Sequence, residues 1–272
     1  MPPSDAEVAT PRSGTEKSLH WRWRRSPAVD NPSLFGHGPG GEGPVWVERD
    51  GLTDEERIVI DSCLAEGVLD PALATLEAGT GGGRIVRALE DRGFTRLAAF
   101  DVAAASVRAA HARDARRRVH FAVADAIRLP YRDGSFVQAV YVQQLLSILE
   151  TEDARTAGIR EAYRVLAPGG VLVVSVLCVD DRGRTPLRIA AIRAYTRYLA
   201  AVRVLRRSDV PAQQQPWPGV NGILGMLLDW PPYAYWFVSS EIEVMLRRAG
   251  FTVVSTIRSP VGAPIRYFAC RR

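Results

Sequence analysis

The sequence predicts an α/β fold built on a mainly parallel sheet, and three observations lead there. Short apolar runs alternate with segments of helical period, a glycine-rich turn follows the first such run, and acidic residues stand at the ends of successive runs. In a parallel sheet with right-handed crossovers, those strand ends all gather at one edge, where ligands collect.

Thr53-Asp54-Glu55-Glu56 opens a helix with a threonine cap and acids in its first turn, running to about Glu66 before Gly67. A first strand over Leu73–Leu76 feeds into Glu77-Ala78-Gly79-Thr80-Gly81-Gly82-Gly83, and a helix follows from about Arg84 to Asp91. Glycine is needed where the backbone turns with positive φ and where a ligand approaches the main chain closely. A nucleotide-like guest is the expectation. A dinucleotide fingerprint beginning at Gly79 requires a third glycine at position 84, which is Arg84. The spacing is instead E-x-G-x-G-x-G, and a carboxylate at Glu77 repels a pyrophosphate while suiting a cation.

A second strand, Arg96–Asp101, ends in an acid 24 residues beyond Glu77, placed to accept ribose hydroxyls. The third, Val119–Val123, leads to Ala124-Asp125-Ala126. The fourth, Val137–Val142, follows Asp133-Gly134-Ser135-Phe136, and a helix over Glu152–Leu166 then turns at Pro168-Gly169-Gly170 into a fifth, Val171–Val176. A crossover helix is predicted over Ala103–Arg116. Near the C-terminus, Ser239–Phe251 reads as an amphipathic helix closed by Gly250, followed by strands Val253–Ile257 and Ile265–Cys270.

With these motifs in order, the chain resembles the class I S-adenosylmethionine-dependent methyltransferases over roughly Leu73–Val179 and Ser239–Cys270. The resemblance implies a Rossmann-like seven-stranded, mostly parallel sheet with helices on both faces, an antiparallel last strand, and a helical insertion after strand five. It implies S-adenosyl-L-methionine as cofactor. Glu77 with Gly79, Gly81 and Gly83 would hold its methionine end, Asp101 the ribose, and Asp125 with Ala126 the adenine, with Thr80, Val102 and Tyr141 also among the cofactor-binding residues. Two departures stand out: Val137-Gln138 occupies positions where many relatives carry an aspartate, and Gln143-Gln144 where small-molecule relatives carry a histidine. No catalytic base is assigned; Tyr141, Asp180, Tyr233 and Tyr235 are the candidates for a place near the acceptor.

Composition bounds the rest. The chain has 272 residues, 47% of them hydrophobic, enough for one α/β domain with additions. The formal charge of +5 comes from arginine, Lys17 being the single lysine, and reads as codon bias rather than polyanion binding. Cys63, Cys178 and Cys270 show no paired or metal spacing and suit a reducing cytoplasm, and the four histidines form no ligand pair, so no metal is expected. The longest apolar run, Val171 to Val179, interrupted only by Ser175, is far below spanning length.

Residues 1–50 are rich in Pro, Gly and Ser and are expected to form a flexible arm, with six basic and seven acidic residues and a Trp/Arg-rich stretch at His20–Arg25. Residues 51–272 form the domain, within which 180–237 is a substrate-cap insertion. Eight arginines and no acid lie between Arg182 and Ser208, on a helical apolar period, and Trp217 and Trp230–Phe237 supply rigid aromatics. The expected partner is a small-molecule acceptor of aromatic or anionic character, with nucleic acid disfavoured and the oligomeric state open. The alternatives are an RNA or protein methyltransferase, a nicotinamide dehydrogenase, disfavoured by Arg84, and a non-catalytic S-adenosylmethionine-binding module.

Overall fold

The computed structural model describes residues 50–116, 118–149, 151–181 and 235–272. The expected N-terminal arm and most of the cap insertion, with Tyr233, lie outside the described residues.

Seven strands form one sheet in the order β3-β2-β1-β4-β5-β7-β6. They are β1 (Thr75–Ala78), β2 (Leu97–Asp101), β3 (His120–Val123), β4 (Phe136–Tyr141), β5 (Leu166–Leu177), β6 (Thr252–Arg258) and β7 (Ile265–Arg271). Strands β1 to β5 pair in parallel, and β7 lies antiparallel between β5 and β6. The described helices are α1 (Asp54–Ala65), α2 (Arg84–Glu90), α3 (Ala104–Arg113), α4 (Leu145–Ile148), α5 (Glu152–Val165) and α6 (Ser239–Arg248). The chain steps outward from β1 to β3 and returns to β4 on the other side of β1, so the strand order reverses between β1 and β4. Open α/β sheets bind ligands at that reversal.

Two apolar layers hold the sheet. One joins Leu76, Phe100, Phe136 and Tyr141 to Ile159 and Val165 of α5 and to Ile242 and Leu246 of α6. The other joins Leu97, Ala99, Val140 and Val173 to Val59 and Ile60 of α1 and Ile85 and Leu89 of α2. The pleat alternates residues between these layers. Glu77 pairs with Val140 and Ala99, both of the second layer, so its side chain rises on the α1–α2 side.

Boundaries depart from expectation where local hydrogen bonds intervene. Strand β1 begins two residues late because the Asp70 carboxylate accepts the Ala72 N–H at 2.9 Å and holds 70–73 in a turn. Helix α3 stops at Arg113, before Asp114, whose carboxylate accepts the Val119 N–H at 3.2 Å. Strand β5 starts at Leu166 rather than Val171, because Leu166 already pairs with Phe136. The short helix α4 had no signal in the sequence. Gln138, found where an acid was expected, is buried and works structurally: its amide nitrogen donates to Asp70 O and Thr75 Oγ1 at 2.6 and 2.8 Å, and its oxygen accepts the Asp70 N–H at 3.0 Å.

No described helix is long and apolar enough to cross a membrane. The described residues contain no group of three or more His, Cys, Asp or Glu suited to a metal ion. All three cysteines are buried free thiols, and burial pushes the Cys63 thiol up to about 11.

Candidate functional site

The glycine loop after β1 takes the conformation its spacing predicts. Gly79, Gly81 and Gly83 have φ values of 71°, 51° and 82°, which L side chains adopt only with strain. The Gly79 and Thr80 N–H groups donate to Phe100 O at 2.9 and 3.0 Å, fastening the loop to the end of β2. A Cβ on Gly83 would come 3.1 Å from the Cβ of Ala110 on α3. Gly83→Ala is therefore expected to lose roughly 1–3 kcal/mol of stability, from strain and from crowding of α3, measured by urea denaturation.

The Asp101 carboxylate closes the loop from the neighbouring strand. Its Oδ2 accepts the Gly81 N–H at 2.9 Å and its Oδ1 the Ala103 N–H at 2.8 Å. Burial raises its pKa, and the two backbone donors act in the opposite direction. Each oxygen keeps a second lone pair, so the group can accept further hydroxyl donors while it organises the loop.

Glu77 differs from the sequence expectation in one respect. It is fully buried, and its pKa is pushed up to about 8, mainly by burial and further by the charge of Asp101, with the neighbouring Thr80 hydroxyl, Arg84 and the Gln143 amide acting the other way. In the free protein at neutral pH the carboxyl is thus mostly neutral rather than a standing negative charge. Neither its Oε2 nor the buried Thr80 hydroxyl beside it makes a hydrogen bond of ordinary geometry, although the hydroxyl is near enough to lower the Glu77 pKa. Unsatisfied buried polar atoms are costly and call for an explanation. A ligand group with N–H donors and positive charge supplies one.

Gln143, two residues after β4, donates to Gly79 O at 3.1 Å and to Glu77 Oε1 at 3.4 Å, bridging β1 to the loop. Gln144 has φ of 53°, the single non-glycine residue with positive φ among the described ones, and is held by Ser175: its N–H and its side-chain amide lie 3.1 and 3.2 Å from the Ser175 hydroxyl. Sequence reasoning marked these two glutamines only as a missing histidine.

Behind the loop, Arg84 and Glu56 form a buried two-point ion pair at 2.5 and 2.6 Å, with side chains 3% and 6% exposed. Glu56 also caps α1, accepting the Thr53 N–H at 2.9 Å, while its own N–H donates to Thr53 Oγ1. Helix α1 is in this way locked to the first turn after the glycines.

The remaining predicted residues separate into three groups. Val102 follows Asp101 at the tip of β2, half-buried, and Asp125 and Ala126 follow β3 at the same edge of the sheet. Asp125 Oδ1 accepts the Ile127 N–H at 3.1 Å. Tyr141 lies elsewhere: it packs edge-on against Phe100, with centroids 6.1 Å apart, in the layer opposite Glu77, and its hydroxyl is buried without a partner. The pleat puts its side chain on the layer opposite Glu77, within electrostatic reach of that carboxyl. Of the acceptor-side candidates, Asp180 accepts from the Ser239 hydroxyl and N–H, and Tyr235 donates to Glu241 under the Arg155 guanidinium, 3.6 Å above the ring. Asp181 pairs with Arg266. These contacts join the end of β5 to the start of α6, at the two described ends of the insertion.

Residues 76–174 match the family model described as "Methyltransferase domain". A malonyl-[acyl-carrier protein] O-methyltransferase from Marinomonas sp. (strain MWYL1) is 31% identical over 133 residues, which is 47% of this chain and 47% of that protein. The chain thus aligns with about half the length of this curated relative. Among solved structures, the [4+2]-cyclase SpnF superposes with a TM-score of 0.54 at 19% identity, covering 83% of this chain and 84% of that one. A 1,6-didemethyltoxoflavin-N1-methyltransferase from Burkholderia thailandensis, solved with 1,6-didemethyltoxoflavin and S-adenosylhomocysteine, gives 0.53 at 20% identity, covering 80% and 79%. These structural likenesses bear on the fold alone.

Proposed function

We propose, from the premise that residues 76–174 form a class I S-adenosylmethionine-dependent methyltransferase domain, that this protein transfers the methyl group of S-adenosyl-L-methionine to a small-molecule acceptor. The observation carrying this reading is the pairing of a partnerless buried carboxyl oxygen on Glu77 with a glycine loop that Asp101 closes at the strand-order reversal. We assign residues 51–272 to the catalytic domain, with 180–237 as its acceptor cap.

When bound, S-adenosylmethionine supplies a methyl group already activated on a sulfonium sulfur, so in-line displacement needs alignment and exclusion of water more than covalent help. In our assignment Glu77 ionises against the cationic methionine end while Gln143 holds the neighbouring loop. Gly79, Thr80, Gly81 and Gly83 let the backbone approach the ligand. Asp101 and Val102 take the ribose, and Asp125 with Ala126 the adenine. No side chain is assigned as base, because Asp180 and Tyr235 are already engaged in contacts with Ser239 and Glu241 of α6.

The small-molecule acceptor draws support from what the relatives' names record, an acyl group on a carrier protein and a toxoflavin precursor. The aromatic residues from Trp230 to Phe237 are consistent with it. That a [4+2]-cyclase shares the fold is a reason to measure binding and turnover separately. Asp101→Ala is expected to weaken S-adenosylmethionine binding by roughly 1–3 kcal/mol, through loss of charge-assisted hydrogen bonds and of the Gly81 anchor, measured by calorimetry. Affinity equal to wild type rejects the assignment. Formation of S-adenosylhomocysteine with aromatic and carboxylate acceptors tests turnover, and a steep fall of activity on RNA with salt would favour a nucleic-acid substrate instead.

A further inference from the structure

At the end of the sheet opposite the glycine loop, where β1 to β4 begin, a cavity of about 210 Å³ opens to the surface. Its floor is apolar: Ala74, Ala98 and Phe136 are all buried in one layer of the core. Ala74, just before β1, and Ala98, the second residue of β2, offer only methyl groups beside the Phe136 ring. The rim is cationic. Arg96 and Arg118 both line the opening, and both are exposed.

Their placement follows from register. Ala98 pairs with His120 in the β2–β3 ladder. Arg96 and Arg118 each precede that pair by two residues, so alternation sets them side by side over the same face. Like charges placed opposite one another repel. Neither arginine forms an ion pair with a described carboxylate. Arg118 acts electrostatically on Glu90, which does not line the cavity. Two adjacent guanidinium groups above an apolar floor are complementary to an anion with an apolar body.

We propose that this cavity is a second binding site, for a small amphiphilic anion whose phosphate or carboxylate head lies between Arg96 and Arg118 and whose apolar part rests on Phe136 and Ala98. Thr95 and His120 complete the rim. The site is separate from Glu77 and Asp101 and does not depend on the methyl-transfer reading.

Phenyl phosphate titrated into the ¹⁵N-labelled full chain is expected to shift the amides of Thr95, Leu97, Ala98 and His120 saturably, equally with and without S-adenosylhomocysteine. The Arg96→Gln/Arg118→Gln variant, altered only at exposed side chains, is expected to bind at least about tenfold more weakly, as loss of charge-assisted contacts implies. Inorganic phosphate is expected to bind more weakly than phenyl phosphate, because it leaves the floor uncovered. The proposal is overturned by absence of saturation, by equal affinity in the double variant, by equal affinity for inorganic phosphate, or by shifts confined to Gly79–Gly83 that S-adenosylhomocysteine suppresses.

Discussion

Glu77→Gln is expected to bind S-adenosylmethionine with an affinity that stays flat between pH 6 and 8, while the wild-type affinity climbs over the same interval by up to about tenfold per pH unit. The reason lies in the buried, half-partnered carboxyl. With its pKa near 8 in the free protein, Glu77 must lose a proton before it can face a cation. Binding a cation is then linked to proton release, which becomes easier as pH rises and is complete above about 8. The same group shapes stability with a definite sign. Its folded pKa lies above the ordinary 4.5, so the folded state holds the extra proton between about 4.5 and 8. Stability is greatest below that window and declines as pH rises through it. The rise from 4.5 to about 8 corresponds to on the order of 5 kcal/mol between the neutral and ionised forms in the free protein. Glu77→Gln removes this slope, so at pH 8.5 the ligand-free variant is expected to unfold at higher urea than wild type. A variant whose affinity keeps the wild-type pH profile, or whose stability falls with pH as wild type does, would show that another group carries the linkage.

Arg84→Met is expected to cost roughly 3–5 kcal/mol of folding stability, the usual consequence of leaving one member of a buried ion pair without its partner. Glu56 would remain buried, still bound to Thr53 N–H but with no cation within reach. The companion change Glu56→Leu is expected to be strongly non-additive, with the double variant recovering part of the loss, since an apolar pair of similar volume often replaces a buried ion pair at little net cost. Arg84 also holds the Glu77 pKa down, so its removal is expected to move the midpoint of cofactor binding to higher pH. Urea denaturation of the two single variants and the double measures the coupling. A single-variant loss below about 1 kcal/mol would mean that α1 is not locked to the loop as the geometry indicates.

The features readable from the sequence are those that local rules govern. The spacing of Gly79, Gly81 and Gly83 requires positive φ at each, and all three adopt it. The acids that end β1 and β2 were recognisable because apolar runs lead into them, and the capping box of α1 is written in Thr53 and Glu56. What escaped depends on which residues packing brings together. Arg84 reads as the loss of a glycine; only folding shows that it meets Glu56, 28 residues earlier. Gln143 reads as the loss of a histidine, yet it spans 64 residues to reach Gly79 O. The layer Tyr141 enters is not legible in the apolar run of β4, which does not reveal its pleat: with Val140 beside Glu77, the next residue must face the other layer. The Glu77 carboxyl was read as charged because sequence identifies the group and not its solvation.

The central claim, that Glu77 and the loop closed by Asp101 form a pocket for a sulfonium nucleoside, is tested most directly by titrating S-adenosylmethionine into the intact chain at pH 7 in two buffers of different ionisation enthalpy. Saturable binding at one site per chain, with release of about one proton, is the predicted result. Folded protein that takes up no S-adenosylmethionine, or binds it with no proton exchanged, would contradict it.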